Sequence, residues 1–213
     1  MDKGQIQKAI TELKSHQKKK FSQSYDLIIN LKNIVSKTAP VDVFVSLHYP
    51  RGKSVKIAAF VDPQLAEQAQ KHCDLIIKET DFAKYTDKKQ LKKLAESYDY
   101  FLAQANLMPK VAQVFGKFLG VKGKMPNPKL GCVIPPTANL EALKNKLQKT
   151  VRLQSRKATN LQCLVGKESQ PDEEIIDNVL TVYQTVIKQL PNEEQNIKNV
   201  SIKKSMSKLI KIK

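Results

Sequence analysis

Cysteine and histidine are scarce in this chain, three of each, and their placement removes most thiol and metal chemistry. Cys73, Cys132 and Cys163 are odd in number and widely spaced, so neither a disulfide framework nor a zinc site is expected. They read as reduced and mostly buried. His16, His48 and His72 fall in separate predicted elements, and no cysteine or carboxylate stands at ligand spacing from any of them. The expectation is no metal, no cofactor and no enzyme. No apolar run approaches the ~20 residues that span a bilayer. The opening Met1-Asp-Lys-Gly-Gln runs straight into an amphipathic pattern without the apolar core of a signal peptide. A soluble cytoplasmic protein is therefore expected. Acidic residues are also short, 20 against 37 Lys and Arg, which leaves a formal charge of +17. A charge of that size repels itself unless a polyanion or salt offsets it, so RNA, DNA and anionic membrane are the partner classes to weigh.

What is present is enough for a core. The chain has 213 residues and 41% hydrophobic content, which fits one large domain or two small ones. Ile6, Ala9, Ile10 and Leu13 share one helical face. Phe21, Tyr25, Leu27, Ile29 and Leu31 then fall on alternate positions, and Val41, Val43, Val45 and Leu47 do the same, predicting two strands. The character changes after Pro50-Arg-Gly-Lys-Ser54. A nearly continuous apolar run over 55–61 predicts a strand covered on both faces. Asp62-Pro63 is a helix start, and strand and helix alternate from there: a strand at 74–78, a basic helix with Leu91, Leu94 and Ala95 inward, a strand at 100–103 and a helix after Asn106. Leu140, Leu143 and Leu147 mark a further helix. From 151 the strand pattern returns, at 151–156 and 160–165. A helix opens at Pro171-Asp-Glu-Glu, and a last strand spans 197–204. The fold class expected is α/β and α+β in two domains. Residues 1–54 and 152–213 form a discontinuous, split-βαβ-like α+β domain, interrupted at 55–151 by a Rossmann-like βαβ domain.

The stretch Phe118-Leu-Gly-Val-Lys-Gly-Lys-Met-Pro-Asn-Pro-Lys-Leu-Gly131 holds three glycines, two prolines and three lysines and no acidic residue. It is expected to be a shaped, basic loop suited to a polyanion, because Pro removes backbone donors and Gly resists ordering. Gly52-Lys-Ser54 is no phosphate-binding P-loop, since Leu47 stands where the glycine is required and the loop precedes a strand. Gly116, Gly120 and Gly123 do not make the dinucleotide pattern. Lys88, Lys89, Lys92 and Lys93 read as a solvated helix face. Lys18-Lys-Lys20 differs, because it abuts Phe21 at a strand start, and Lys203-Lys-Ser-Met206 ends a strand in a similar mixture. If those strands are neighbours, lysines for phosphates sit beside Phe21 and Met206 for sugars or bases.

The segment Phe118-Leu-Gly-x-x-Gly-Lys-Met-Pro-x-Pro128 resembles the signature of the large-subunit ribosomal proteins that form the mobile stalk beside the tRNA exit site, with Val121-Lys122 where Pro-Arg is usual. Lys20-Phe-x-x-Ser24 resembles that family's opening strand motif, and Arg51-Gly-Lys53 its crossing into the inserted domain. Ser205-Met206 resembles its Thr-Met-Gly close. The wording is archaeal in type. The resemblance implies a first domain gripping a junction of large-subunit ribosomal RNA through Lys20, Phe21, Ser24, Lys204, Ser205 and Met206, with Lys157 and Lys167 near matching basic positions. Lys122, Lys124 and Lys129 would make a second RNA contact. It further implies hinges near 51–55 and 151–154, an inserted domain that swings as deacylated exit-site tRNA leaves, and a monomer when free. Family members in bacteria and archaea also bind their own mRNA and repress its translation. A regulatory mRNA-binding protein off the ribosome is the alternative. Two departures stand out: Ser207 replaces the motif glycine, and His48-Tyr-Pro50 replaces Pro-His-Gly, where proline would stiffen the crossing.

Overall fold

Apolar periodicity places the elements, and the computed structural model describes residues 1–15, 19–33, 41–85, 87–136, 138–155 and 158–213. In chain order they are α1 (Lys3–Ser15), β1 (Ser24–Leu31), β2 (Asp42–Ser46), β3 (Ile57–Val61), α2 (Pro63–His72), β4 (Leu75–Lys78), α3 (Lys88–Ser97) and β5 (Tyr100–Gln104). There follow α4 (Met108–Lys122), β6 (Val133–Ile134), α5 (Leu140–Lys149), β7 (Thr150–Gln154), β8 (Asn160–Lys167), α6 (Asp172–Gln189), β9 (Ile197–Lys204) and β10 (Ile210–Lys211). The chain divides into two compact units, Met1–Lys53 with Lys149–Lys213, and Ser54–Gln148. The mixed α/β and α+β architecture read from the sequence is the one observed.

In the first unit β1 lies between β8 and β9, antiparallel to both, in a sheet of order β10-β9-β1-β8. Tyr25, Leu27, Ile29 and Leu31 point to the core, where Ile6, Ala9, Ile10 and Leu13 of α1 and Ile175, Val179, Val182 and Val186 of α6 meet them. Three acids in the first turn of α6 favour its start through the helix dipole. The antiparallel pair β2–β7 completes the unit, with Val45 opposite Val151. That pairing runs the length of β7, so residues 151–154 lie within the first unit, and the chain crosses between the units at Gln148–Lys149. The segment entering the second unit is also held: Tyr49 exchanges hydrogen bonds with Asn178, N–H to Oδ1 at 3.1 Å and Nδ2–H to O at 3.3 Å. Gln170 Nε2 donates to Pro50 O at 2.8 Å.

The second unit is a parallel sheet of order β4-β3-β5-β6. β3 is buried at every position, as its unbroken apolar run requires. Phe60 packs on Phe115 at 4.7 Å between ring centroids and edge-on to Phe82 at 5.8 Å. α3 buries Leu91, Leu94 and Ala95, the three residues its spacing marked.

Three expectations change. Residues 118–122 are helix, not loop. Val111, Phe115 and Leu119 recur at helical spacing and are buried, and that burial outweighs the cost of Gly116 and Gly120. Gly123, at φ +67°, then ends α4 in a left-handed cap, with its N–H on Gly120 O and the Lys124 N–H on Leu119 O, both at 2.9 Å. Strand β1 starts at Ser24, leaving Phe21 outside the sheet. The two-residue strands β6 and β10 were too short to show a period.

Candidate nucleic-acid interface

Three adjacent strands bring the sequence-predicted residues to one end of the first sheet. Ser24 opens β1, Lys167 lies opposite it at the end of β8, and Ser205 follows the end of β9. The Ser205 N–H donates to Ser24 O at 3.0 Å, and the Ser24 N–H donates back to Ser205 Oγ at 3.3 Å. The two serines thus close the β1–β9 edge. Beside them Met206 is 68% exposed and Phe21 52% exposed, large apolar side chains held in water. Lys20 is exposed next to Phe21.

A buried bracket holds this edge from below. Gln23, only 4% exposed, accepts the Met206 N–H on its Oε1 at 3.1 Å. The backbones of Gln23 and Glu168 meet through the Glu168 N–H on Gln23 O at 2.8 Å, and Glu168 Oε2 accepts the Gln23 N–H at 3.3 Å. Lys204 Nζ donates to Glu168 Oε1 at 2.7 Å. Lys204 is 2% exposed and lies over the Tyr25 ring at 6.0 Å. Its charge is therefore met inside the protein, and its observed place is that of a strut rather than an outward phosphate ligand. Gln23 was missed by sequence reasoning, because nothing marks a glutamine in the x positions of Lys20-Phe-x-x-Ser24 as different from its neighbours.

Ser207 raises no backbone difficulty. It is not among the residues of positive φ. Its Oγ accepts the Lys204 N–H at 2.8 Å and donates to Lys208 O at 2.9 Å, while its own N–H donates to Lys204 O at 3.1 Å. The hydroxyl closes the turn that carries Met206.

Lys167 is half-buried, and its aliphatic stem covers Gly52. A Cβ at Gly52 would stand 2.7 Å from Lys167 Cγ, and the backbone there has φ +80°, so only glycine fits on both counts. Gly52 thereby seats the Arg51-Gly-Lys53 turn beside the strand end. Lys157 lies outside the described residues.

The lysines of the second unit are placed differently. Lys122 pairs with Glu96 at 3.1 Å. Lys124 Nζ donates to Ala95 O at 2.9 Å and Tyr98 O at 2.7 Å, capping the carboxyl end of α3. Lys129 is exposed on a 3₁₀ turn capped by Asn127. None of the three belongs to the unit that holds Phe21 and Met206.

The crevice where a doubly wound sheet would take a nucleotide lies beyond β3 and β5, where the strand order reverses. Side chains of the unit bond to one another there: Gln104 Oε1 accepts the Asp62 N–H at 2.6 Å, and Asn106 Nδ2 donates to Asp62 Oδ2 at 2.8 Å. A carboxylate at that position repels a diphosphate.

Residues 13–208 match the family described as "Ribosomal protein L1p/L10e family". The chain is 38% identical to the "Large ribosomal subunit protein uL1" of Nanoarchaeum equitans, across 95% of this chain and 97% of that protein. It is 38% identical to the protein of the same name from Pyrococcus abyssi, across 100% and 97%. The Methanocaldococcus jannaschii protein of that name is 34% identical, again across 100% and 97%.

Proposed function

The chain belongs to the ribosomal protein L1p/L10e family, and from that premise we propose that it grips a junction of ribosomal RNA at the mobile stalk of the large subunit. It is a structural protein of the large ribosomal subunit, not an enzyme. The observation that carries the reading of the site is the interlock of Ser24 with Ser205, which sets Met206 in solvent on the Gln23 bracket, two residues from Phe21. Phe21 and Met206 pack against sugars and bases. Lys20 and Lys167 supply phosphate contacts, and Ser205 supplies a hydroxyl. Lys204 belongs to this site as the strut that fixes Glu168 and, through it, Gln23. Residues 54–148 form an inserted domain on the stalk. Joined to the first unit by two crossings, it moves as deacylated tRNA leaves the exit site. An mRNA that presents the same junction is held by the same contacts, which makes the protein a repressor of its own translation.

Sucrose-gradient fractionation tests the assignment, with stoichiometric recovery on large subunits expected. Recovery with free messages would favour a regulatory mRNA-binding role off the ribosome. Phe21→Ala and Met206→Ala should each weaken binding of the junction RNA by roughly 1–3 kcal/mol in a filter assay, the range for stacked contacts. No loss from either would place the RNA elsewhere.

A further inference from the structure

The lysines of α3 form a cluster that takes part in no ion pair among the described residues. Lys88, Lys89, Lys92 and Lys93 are exposed, while Leu91, Leu94 and Ala95 are buried on the other side. Among the described residues no carboxylate forms an ion pair with any of the four. Their arrangement opposes the stability of the helix. Asp87 caps the helix, its Oδ1 accepting the Lys89 N–H at 3.0 Å, but the first turn itself holds two lysines and no acid, and Glu96 sits in the last turn at the negative end of the dipole. Lys88 with Lys92, and Lys89 with Lys93, are like charges four residues apart, a spacing that destabilises a helix. The cations that suit α3 come from outside it and serve its far end, Lys122 on Glu96 and Lys124 on the carbonyls of Ala95 and Tyr98. Glu96 also feels Lys92 one turn away, but it forms its ion pair with Lys122. The amino-terminal half is left as a dense positive surface with no ion pair of its own among the described residues. Four like charges crowded on one exposed face, with only the Asp87 cap to offset them, mark a candidate functional surface.

We propose that this lysine face of α3 is a second RNA contact, on the unit that does not carry Phe21, and that it takes backbone phosphates irrespective of base sequence. The proposal rests on the reading of the protein as RNA-binding. Residues four apart stand about 6 Å apart along a helix axis, so the four ammonium groups form two short parallel rows. Each is a mobile point charge suited to phosphate. The exposed face of α3 carries no aromatic ring to stack on a base, so it tracks a backbone and does not read sequence. It carries no apolar side chain to enter a lipid interface either, which favours RNA over an anionic membrane.

The test uses the full chain with all four lysines changed, K88Q/K89Q/K92Q/K93Q. Binding to a stalk-junction ribosomal RNA with its flanking helices, and to polyuridylate, is measured over a salt series. The plot of log K against log salt should flatten by about 3 on both RNAs, at roughly 0.7–0.9 for each phosphate that is no longer neutralised. The preference for the junction should not change. The matching K88R/K89R/K92R/K93R protein should keep the wild-type slope and controls for damage to the helix. An unchanged slope in the glutamine variant, or equal flattening in the arginine one, overturns the proposal. So does loss of binding to phosphatidylserine vesicles without any change on RNA. Phe21→Ala run in parallel should lose preference and keep slope. A wild-type protein with no preference for the junction would defeat the first reading and leave the slope to decide this one.

Discussion

Tyr25 sits under the interface with its ring against the Lys204 ammonium at 6.0 Å. It is fully buried, and its hydroxyl has no hydrogen-bond partner among the described residues. Burial, reinforced by Glu168 and Asp172, pushes the phenol up from 10.0 to about 12. The folded state therefore holds the neutral phenol. Its contribution to stability is complete below the ordinary value and is lost as pH rises through about 12. Tyr25→Phe keeps the ring and removes an unpaired polar atom, so it should cost nothing at pH 7 and gain on the order of 1 kcal/mol. Urea midpoints taken from pH 10 to about 12 should show the variant pulling further ahead of the wild type. A gap that stays constant over that range would mean that Tyr25 ionises alike folded and unfolded. This residue also shows where sequence reading stops. Alternation placed Tyr25 in the core, but the Lys204–Glu168 pair beside it depends on a register between β1 and β9 that joins residues far apart in the chain. Ser207 is the same case: glycine is expected from the motif, and only the turn shows a hydroxyl in use.

At the scale of elements, α4 separates what periodicity reveals from what composition conceals. Its buried stripe, Val111, Phe115 and Leu119, was present in the sequence, yet the glycines and prolines of 118–131 pulled the reading of its last turn toward a loop. Of Gly116, Gly120 and Gly123, only Gly123 has a positive φ. A Cβ at Gly116 or Gly120 would meet nothing within 4 Å, so neither glycine is there for internal packing. Gly116→Ala and Gly120→Ala should therefore each stabilise the free protein by about 0.5–1 kcal/mol, the helix-interior difference between the two residues. Thermal melts check this, and a fall in melting temperature at either position would point to a neighbour that the alanine meets. β9 was legible to both ends, and so were the start of α6 and the buried face of α3. β6 and β10 were not, since two residues carry no period and exist through pairing with β5 and β9. Of the sheet end proposed as the RNA contact, Phe21 and Met206 stood out by residue type and Ser24 by the motif it resembles, while Gln23 gains its place only by tertiary contact.

For the whole molecule the question is whether the first unit can stand without the insertion. Its own cut ends are held together from within. The Leu47 N–H donates to Lys149 O at 2.9 Å, Lys149 Nζ donates to His48 O at 3.0 Å, and Ser46 is paired with Thr150. Residues 49 and 50 are tied to α6 and to Gln170. A short flexible linker from Lys53 to Lys149 would close a small loop at little entropic cost, and the buried cluster shared by α1, α6 and the strands lies wholly inside Met1–Lys53 and Lys149–Lys213. A protein with residues 54–148 replaced by such a linker should unfold in one cooperative transition. It should keep its preference for the junction RNA, since Phe21, Ser205 and Met206 remain. Its salt slope should be shallower than that of the full chain, because α3 has gone with the insertion. A linker protein that folds and keeps the full slope would place every phosphate contact on the first unit. One that folds and loses preference would show that the insertion, not the Ser24–Ser205 edge, selects the RNA.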